Sequence, residues 1–106
     1  MIAENNPYGG SRMYSIDKQG RLNIPNGLLE LSLGVKVQKV VFAEEGGDKY
    51  QIVPLDKIAD EDKIVTGTMN LDSKNRIFVP KMFRNEYTNS VDLYVQRGKM
   101  YIEFKR

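Results

Sequence analysis

From Met13 onward the chain runs through short alternations of apolar and polar positions separated by turn signals, and it does so twice. Tyr14 and Ile16 fall on one face of residues 13–16, and Leu22 and Ile24 on one face of the next run. Met69 with Leu71, then Ile77 with Val79, repeat this period of two, the signature of half-buried strands. Each second strand ends at a proline, Pro25 or Pro80, which can open a helical turn because the amide hydrogen it lacks would have no partner there. Helical turns are therefore expected over residues 26–33, with Gly34 as C-cap, and over residues 81–87, ending near Asn89. Leu28 and Phe83, each three residues after its proline, should point inward. Each half then closes in a hairpin, residues 37–43 with 50–53 and residues 91–96 with 100–104. The first hairpin turn, at residues 44–48, is long and the second, at residues 97–99, is short. Ile102 thus aligns with Ile52 at an offset of 50.

The repetition extends to individual residues. Asp17-Lys18-Gln19-Gly20-Arg21-Leu22-Asn23-Ile24-Pro25 and Asp72-Ser73-Lys74-Asn75-Arg76-Ile77-Phe78-Val79-Pro80 are one pattern, D-x-x-[G/N]-R-[L/I]-x-[I/V]-P, written twice at an offset of 55. A duplicated segment implies two similar supersecondary units. Asp17 and Asp72 open their turns and can accept backbone N–H bonds, while Gly20 and Asn75 stand where a left-handed backbone is needed. Neither half, at roughly 40 residues without disulfide or metal, is large enough to fold alone, so one shared core is expected. The expected organisation is a flexible lead-in over residues 1–12 and a single domain over 13–106. Within that domain, repeats at 13–55 and 64–106 are joined by a connector at 56–63. Asp56 is placed to cap a helical turn in that connector. Its acidic run, Asp60-Glu61-Asp62, lacks the spacing of a calcium loop and reads as solvated chain.

Composition narrows the chemistry. The 106 residues include no cysteine and no histidine, which removes disulfides, thiolate nucleophiles, Ser-His pairs and the usual zinc ligand sets. There is no Walker loop or dinucleotide glycine fingerprint, and Gly46-Gly47 reads as a hairpin turn. An enzyme is the least expected class, no cofactor is implied, and no apolar run approaches a membrane span. A cytoplasmic protein is the expectation. The net charge is +2, but residues 1–56 carry 6 Lys and Arg against 7 Asp and Glu, whereas residues 57–106 carry 10 against 7. A polyanion contact is expected first in the second half.

The duplicated motif, followed each time by a helical turn and a hairpin, resembles the AbrB/SpoVT/MazE superfamily of swapped-hairpin DNA-binding domains. Two copies in one chain are most similar to its MraZ-like, two-repeat branch. The resemblance covers most of residues 13–55 and 67–105. It implies a mainly β fold in which two interleaved repeats of strand pair, helical turn and strand pair form one pseudo-twofold small barrel. It further implies a bacterial, nucleoid-associated regulator of transcription, working as a pseudo-dimeric monomer that can associate further. The family places Arg four residues after the proline; the second copy has Arg84 there and the first has Leu29.

Duplex DNA is a two-fold symmetric polyanion, so two equivalent basic turns can meet two half-sites. Arg21 and Arg76 are the candidates for base or phosphate contact, since the guanidinium fork suits guanine O6 and N7 or paired phosphate oxygens. Lys18, Lys74, Lys81 and Arg84 flank the same turns and would supply positioning and salt-dependent affinity. Each has a structural alternative: the two arginines could simply pair with Asp17 and Asp72, and the lysines could be solvated charge. Because the copies differ at Gln19/Lys74, Asn23/Phe78 and Leu29/Arg84, an imperfect palindrome is expected, dominated by the second half. Two other classes compete. One is a protein-binding module of the antitoxin kind, against which stand the two residues after Phe104. The other is a small barrel that binds single-stranded nucleic acid on Tyr50, Tyr94 and Tyr101.

Overall fold

The computed structural model describes residues 12–34 and 36–106, so the lead-in expected over residues 1–12 lies, but for the Arg12 backbone, outside them. Among the described residues the fold is mainly β, with eight strands and two short helices: β1 (Arg12–Ser15), β2 (Arg21–Asn23), α1 (Asn26–Leu31), β3 (Lys39–Gly46), β4 (Lys49–Pro54), β5 (Met69–Asn70), β6 (Arg76–Phe78), α2 (Lys81–Glu86), β7 (Ser90–Gln96) and β8 (Lys99–Phe104). None of the described helices is long and apolar enough to cross a membrane.

Six strands form one antiparallel sheet in the order β1-β7-β8-β4-β3-β5, and β2 pairs with β6 in a separate ribbon. The six-strand order is unchanged when the halves are exchanged, β1 for β5, β7 for β3 and β8 for β4. The opening strand of each half is hydrogen-bonded to the other half's hairpin, β1 on β7 and β5 on β3. The register follows the same exchange. Leu22 faces Ile77 across the ribbon, 55 residues apart, and Gln51 faces Tyr101 at the centre of the sheet, 50 apart. Bonds beyond the strands come in matching pairs. The Ile16 amide donates to Asn89 O at 2.8 Å and the Leu71 amide to Gln38 O at 2.7 Å, while the Val79 amide donates to Gly20 O at 2.9 Å and the Ile24 amide to Asn75 O at 2.8 Å.

Period-two burial builds the main core. Leu22 and Ile77 from the ribbon, Val40, Phe42 and Ile52 from one hairpin, and Leu93, Met100 and Ile102 from the other are all sealed from solvent. Leu28 and Phe83 point inward as the sequence indicates. Phe83 packs edge-on against Phe42 and Tyr50, with ring centres 5.6 and 5.0 Å apart, and stacks on Phe104 at 4.9 Å. The second helix is thus seated on aromatics supplied largely by the first half's hairpin. Tyr50 belongs to this cluster, the core-filling alternative for an aromatic residue in a strand, and so leaves the stacking platform considered with Tyr94 and Tyr101. Val41, Ala43 and Val53 are buried on the opposite face of the sheet with Ile64, which bridges to Ala43.

Three local expectations are corrected. The first hairpin turn is tight, because β3 and β4 extend through an irregularity between Glu44 and Gly46 that absorbs a residue, and Gly46 and Gly47 both take positive φ. Asp56 caps no helical turn among the described residues: the 3-10 turn at Leu55–Lys57 starts after Pro54 with no side-chain cap, and Asp62 instead accepts the Ala59 amide at 2.8 Å. Helix α1 ends at Leu31, short of residue 33, and Gly34, at φ +93°, closes it by donating its amide to Leu29 O at 2.6 Å.

Candidate functional site

The two D-x-x-[G/N]-R segments fold into nearly identical turns. Asp17 Oδ1 accepts the Gln19 and Arg21 amides at 2.9 and 2.8 Å, and Asp72 Oδ1 accepts the Lys74 and Arg76 amides, both at 2.9 Å. The other carboxylate oxygen takes the arginine side chain, Arg21 Nε on Asp17 Oδ2 at 2.9 Å and Arg76 Nε on Asp72 Oδ2 at 2.8 Å. Gly20 sits at φ +86° and Asn75 at φ +61°, the left-handed positions that let the turn close. The pairing and the turn-capping roles are therefore both present. Only Nε is engaged in each case among the described residues, which leaves the terminal guanidinium nitrogens of a braced side chain for another partner.

Hydrogen bonds from the Arg21 and Arg76 amides are the largest influence holding Asp17 and Asp72 below the ordinary carboxylate range, aided by the guanidinium and the neighbouring amide. Asp48 is lowered as well, first by Arg106 and then by the Tyr87 hydroxyl, which donates to it at 2.9 Å. A carboxyl whose folded pKa is depressed stabilises the fold above its unfolded value, near 4, and loses that contribution as pH falls through the folded value. Thermal melts from neutral pH down to about pH 3 should therefore show a declining acid limb. The Asp17→Asn, Asp72→Asn double variant should have a shallower decline than the wild type; equal slopes would refute the role given to these turns.

The ribbon sets where the turns lead. Leu22 and Ile77 face the core, so the alternate positions face out: Arg21 opposite Phe78, and Asn23 opposite Arg76. Phe78 is 63% exposed, an unusual state for phenylalanine, and Met82 on α2 is 59% exposed. Nothing in the duplicated motif itself marks Phe78 as a site residue. The signal lies in comparing the copies, because the same position in the other copy is the polar Asn23. Lys18, Lys74 and Lys81 are exposed, as positioning charges would be.

Arg84 lies elsewhere than its place in the chain implies. Its Nε donates to Val79 O at 3.1 Å, and its guanidinium covers Gly20, where an added Cβ would come within 2.7 Å of Arg84 Cζ. In space Arg84 therefore joins the first turn with Arg21 and Lys18. Its counterpart Leu29 is buried on the inner face of α1, and Asn75, counterpart of Gly20, is turned toward that helix, its Nδ2 donating to Asn26 Oδ1 at 3.4 Å. The glycine-for-asparagine difference between the copies matches the arginine-for-leucine difference across the ribbon. Gly20→Ala should cost about 1–2 kcal/mol from the left-handed backbone alone and displace Arg84. In a denaturation double-mutant cycle with Arg84→Ala the two changes should be non-additive. Strict additivity would mean that the arginine is not seated on the glycine.

The tyrosine platform is reduced to two members. Tyr94 and Tyr101 stack at 5.7 Å, and the Lys49 ammonium lies 4.7 Å from the Tyr101 ring centre and 5.5 Å from that of Tyr94. Neither a protein-family model nor a curated protein matches this chain, so its functional reading rests on the geometry of the two turns and the ribbon between them.

Proposed function

We propose that this protein is a sequence-specific, duplex DNA-binding regulator of transcription of the AbrB/MraZ type. In this reading the exchanged strand pairings are two interleaved swapped-hairpin repeats, one chain doing the work of a dimer in a bacterial nucleoid. The observation that carries it is the pair of aspartate-braced arginines, Arg21 and Arg76, on the outer face of one two-stranded ribbon. A two-stranded ribbon fits the major groove, where braced guanidinium forks can read guanine edges. Asp17 and Asp72 act by orienting those forks, at little entropic cost on binding. Phe78 adds an apolar contact of the kind that suits a thymine methyl group.

The two half-sites are unequal. Counting along the sequence favours the second repeat as the stronger one, whereas the grouping of Arg84 with Lys18 and Arg21 at the first turn supports the first. Selection of bound duplexes from a random pool, with solution mass measured in parallel, tests the proposal. An imperfect inverted repeat bound by one chain is expected. Enrichment of no duplex, or of single strands in preference, would refute it.

A further inference from the structure

Two grooves, of about 650 and 660 Å³, share one wall formed by Lys36, Val37, Gln38 and Lys39. The first runs beneath Leu33 to Leu55 and Lys57; the second continues past Asn70 to Asp72, Ser73 and Asn75, the second turn itself. Lys36, Lys39 and Lys57 are exposed, and none forms an ion pair with another described residue. Two carboxylates line the pair of grooves, Asp56 and Asp72, and Asp72 is committed to Arg76. The local charge is positive, while Leu33, Val37 and Leu55 give the first groove an apolar lining.

The other side of the molecule has no equivalent among the described residues. The matched bonds Leu71 N to Gln38 O and Ile16 N to Asn89 O fix the correspondence, so Lys36 and Lys39 map onto the buried Tyr87 and onto Ser90. The nearby cations there are spent: Lys105 pairs with Asp92 at 2.9 Å and Arg106 with Asp48 at 3.0 Å. The first turn thus carries Arg84, and the second turn carries a lysine-rimmed groove.

We propose that this groove holds the sugar-phosphate backbone of duplex DNA beyond the second half-site, so that the protein's footprint extends further on that side. The inference rests on the duplex-binding reading above. Phosphates would meet the three ammonium groups, and deoxyribose faces the apolar lining. Such contacts carry affinity without base information.

The test uses a selected duplex and the Lys36→Gln, Lys39→Gln, Lys57→Gln variant of the full chain, with its fold checked by circular dichroism. Each phosphate contact contributes roughly 0.9 to the slope of log affinity against log salt. The variant should therefore lose about 2 to 3 from that slope, keep its sequence preference, and lose hydroxyl-radical protection on the second-turn side alone. Shortening the duplex on that side should weaken wild type and leave the variant unchanged. A wild-type protein that binds no duplex would sink the functional reading itself. Wild-type binding with a variant of unchanged slope and footprint would overturn this inference alone. So would a changed sequence preference, or displacement by a polyglutamate peptide as effective as a duplex of equal charge.

Discussion

Replacing Arg21 and Arg76 together by alanine is expected to abolish specific duplex binding while leaving the protein folded. Each guanidinium that reads a base pair is worth about 1–3 kcal/mol of discrimination, and in the proposed complex its charge would also favour the phosphate backbone. Loss of both should weaken binding to the selected site by at least about a hundredfold, toward the affinity for random duplex. The fold should survive because the amide bonds to Asp17 and Asp72 remain and the two ion pairs are partly exposed, a class worth roughly 0–1 kcal/mol each. Arg21→Lys with Arg76→Lys separates charge from shape: it keeps the positive charge but lacks the planar fork, so it should retain salt-dependent binding and lose preference for the site. A folded alanine variant that binds as the wild type does would end the DNA reading. A variant with a large fall in melting temperature would show the arginines to be turn braces first.

The contrast between the ribbon and the turns shows which parts of this molecule are legible in one dimension. Strand positions were readable because alternation has a single solution when one face must be buried: Leu22, Ile77, Leu93 and Ile102 are all in the core. The duplicated turn is legible because a carboxylate that takes backbone amides and a residue that tolerates a left-handed backbone each have a local reason to stand where they do, and both turns close in that way. What alternation could not indicate was the opposite face of β3 and β4. There Val41, Ala43 and Val53 are also buried, a run that in sequence does not separate a two-faced strand from any other apolar segment. Nor could the chain order place Arg84, whose neighbour Gly20 is 64 residues earlier. Exchange of strands between halves means that sequence proximity misassigns which turn a helix serves.

Truncating the ribbon's buried pair, Leu22→Ala with Ile77→Ala, is expected to bring the chain to the margin of unfolding at 25 °C. Both side chains are fully sealed and directly opposite, one from each half, at the centre of the ribbon in which the two repeated motifs pair with each other. Large-to-small changes at such sites cost about 2–5 kcal/mol each, and a domain of this size has roughly 5–15 kcal/mol in total. The two losses share one cavity, so they will not add simply. Their combined size still takes most of the available stability. The exchange Leu22→Ile with Ile77→Leu provides the control, since it keeps volume and hydrophobicity while swapping shape across the ladder, and should cost less than about 1.5 kcal/mol. Urea titrations followed by circular dichroism measure both. A double-alanine variant with a wild-type midpoint would show that the halves do not depend on this seam. An exchange variant as unstable as the truncation would show that side-chain shape at the seam, and not burial, is what joins them.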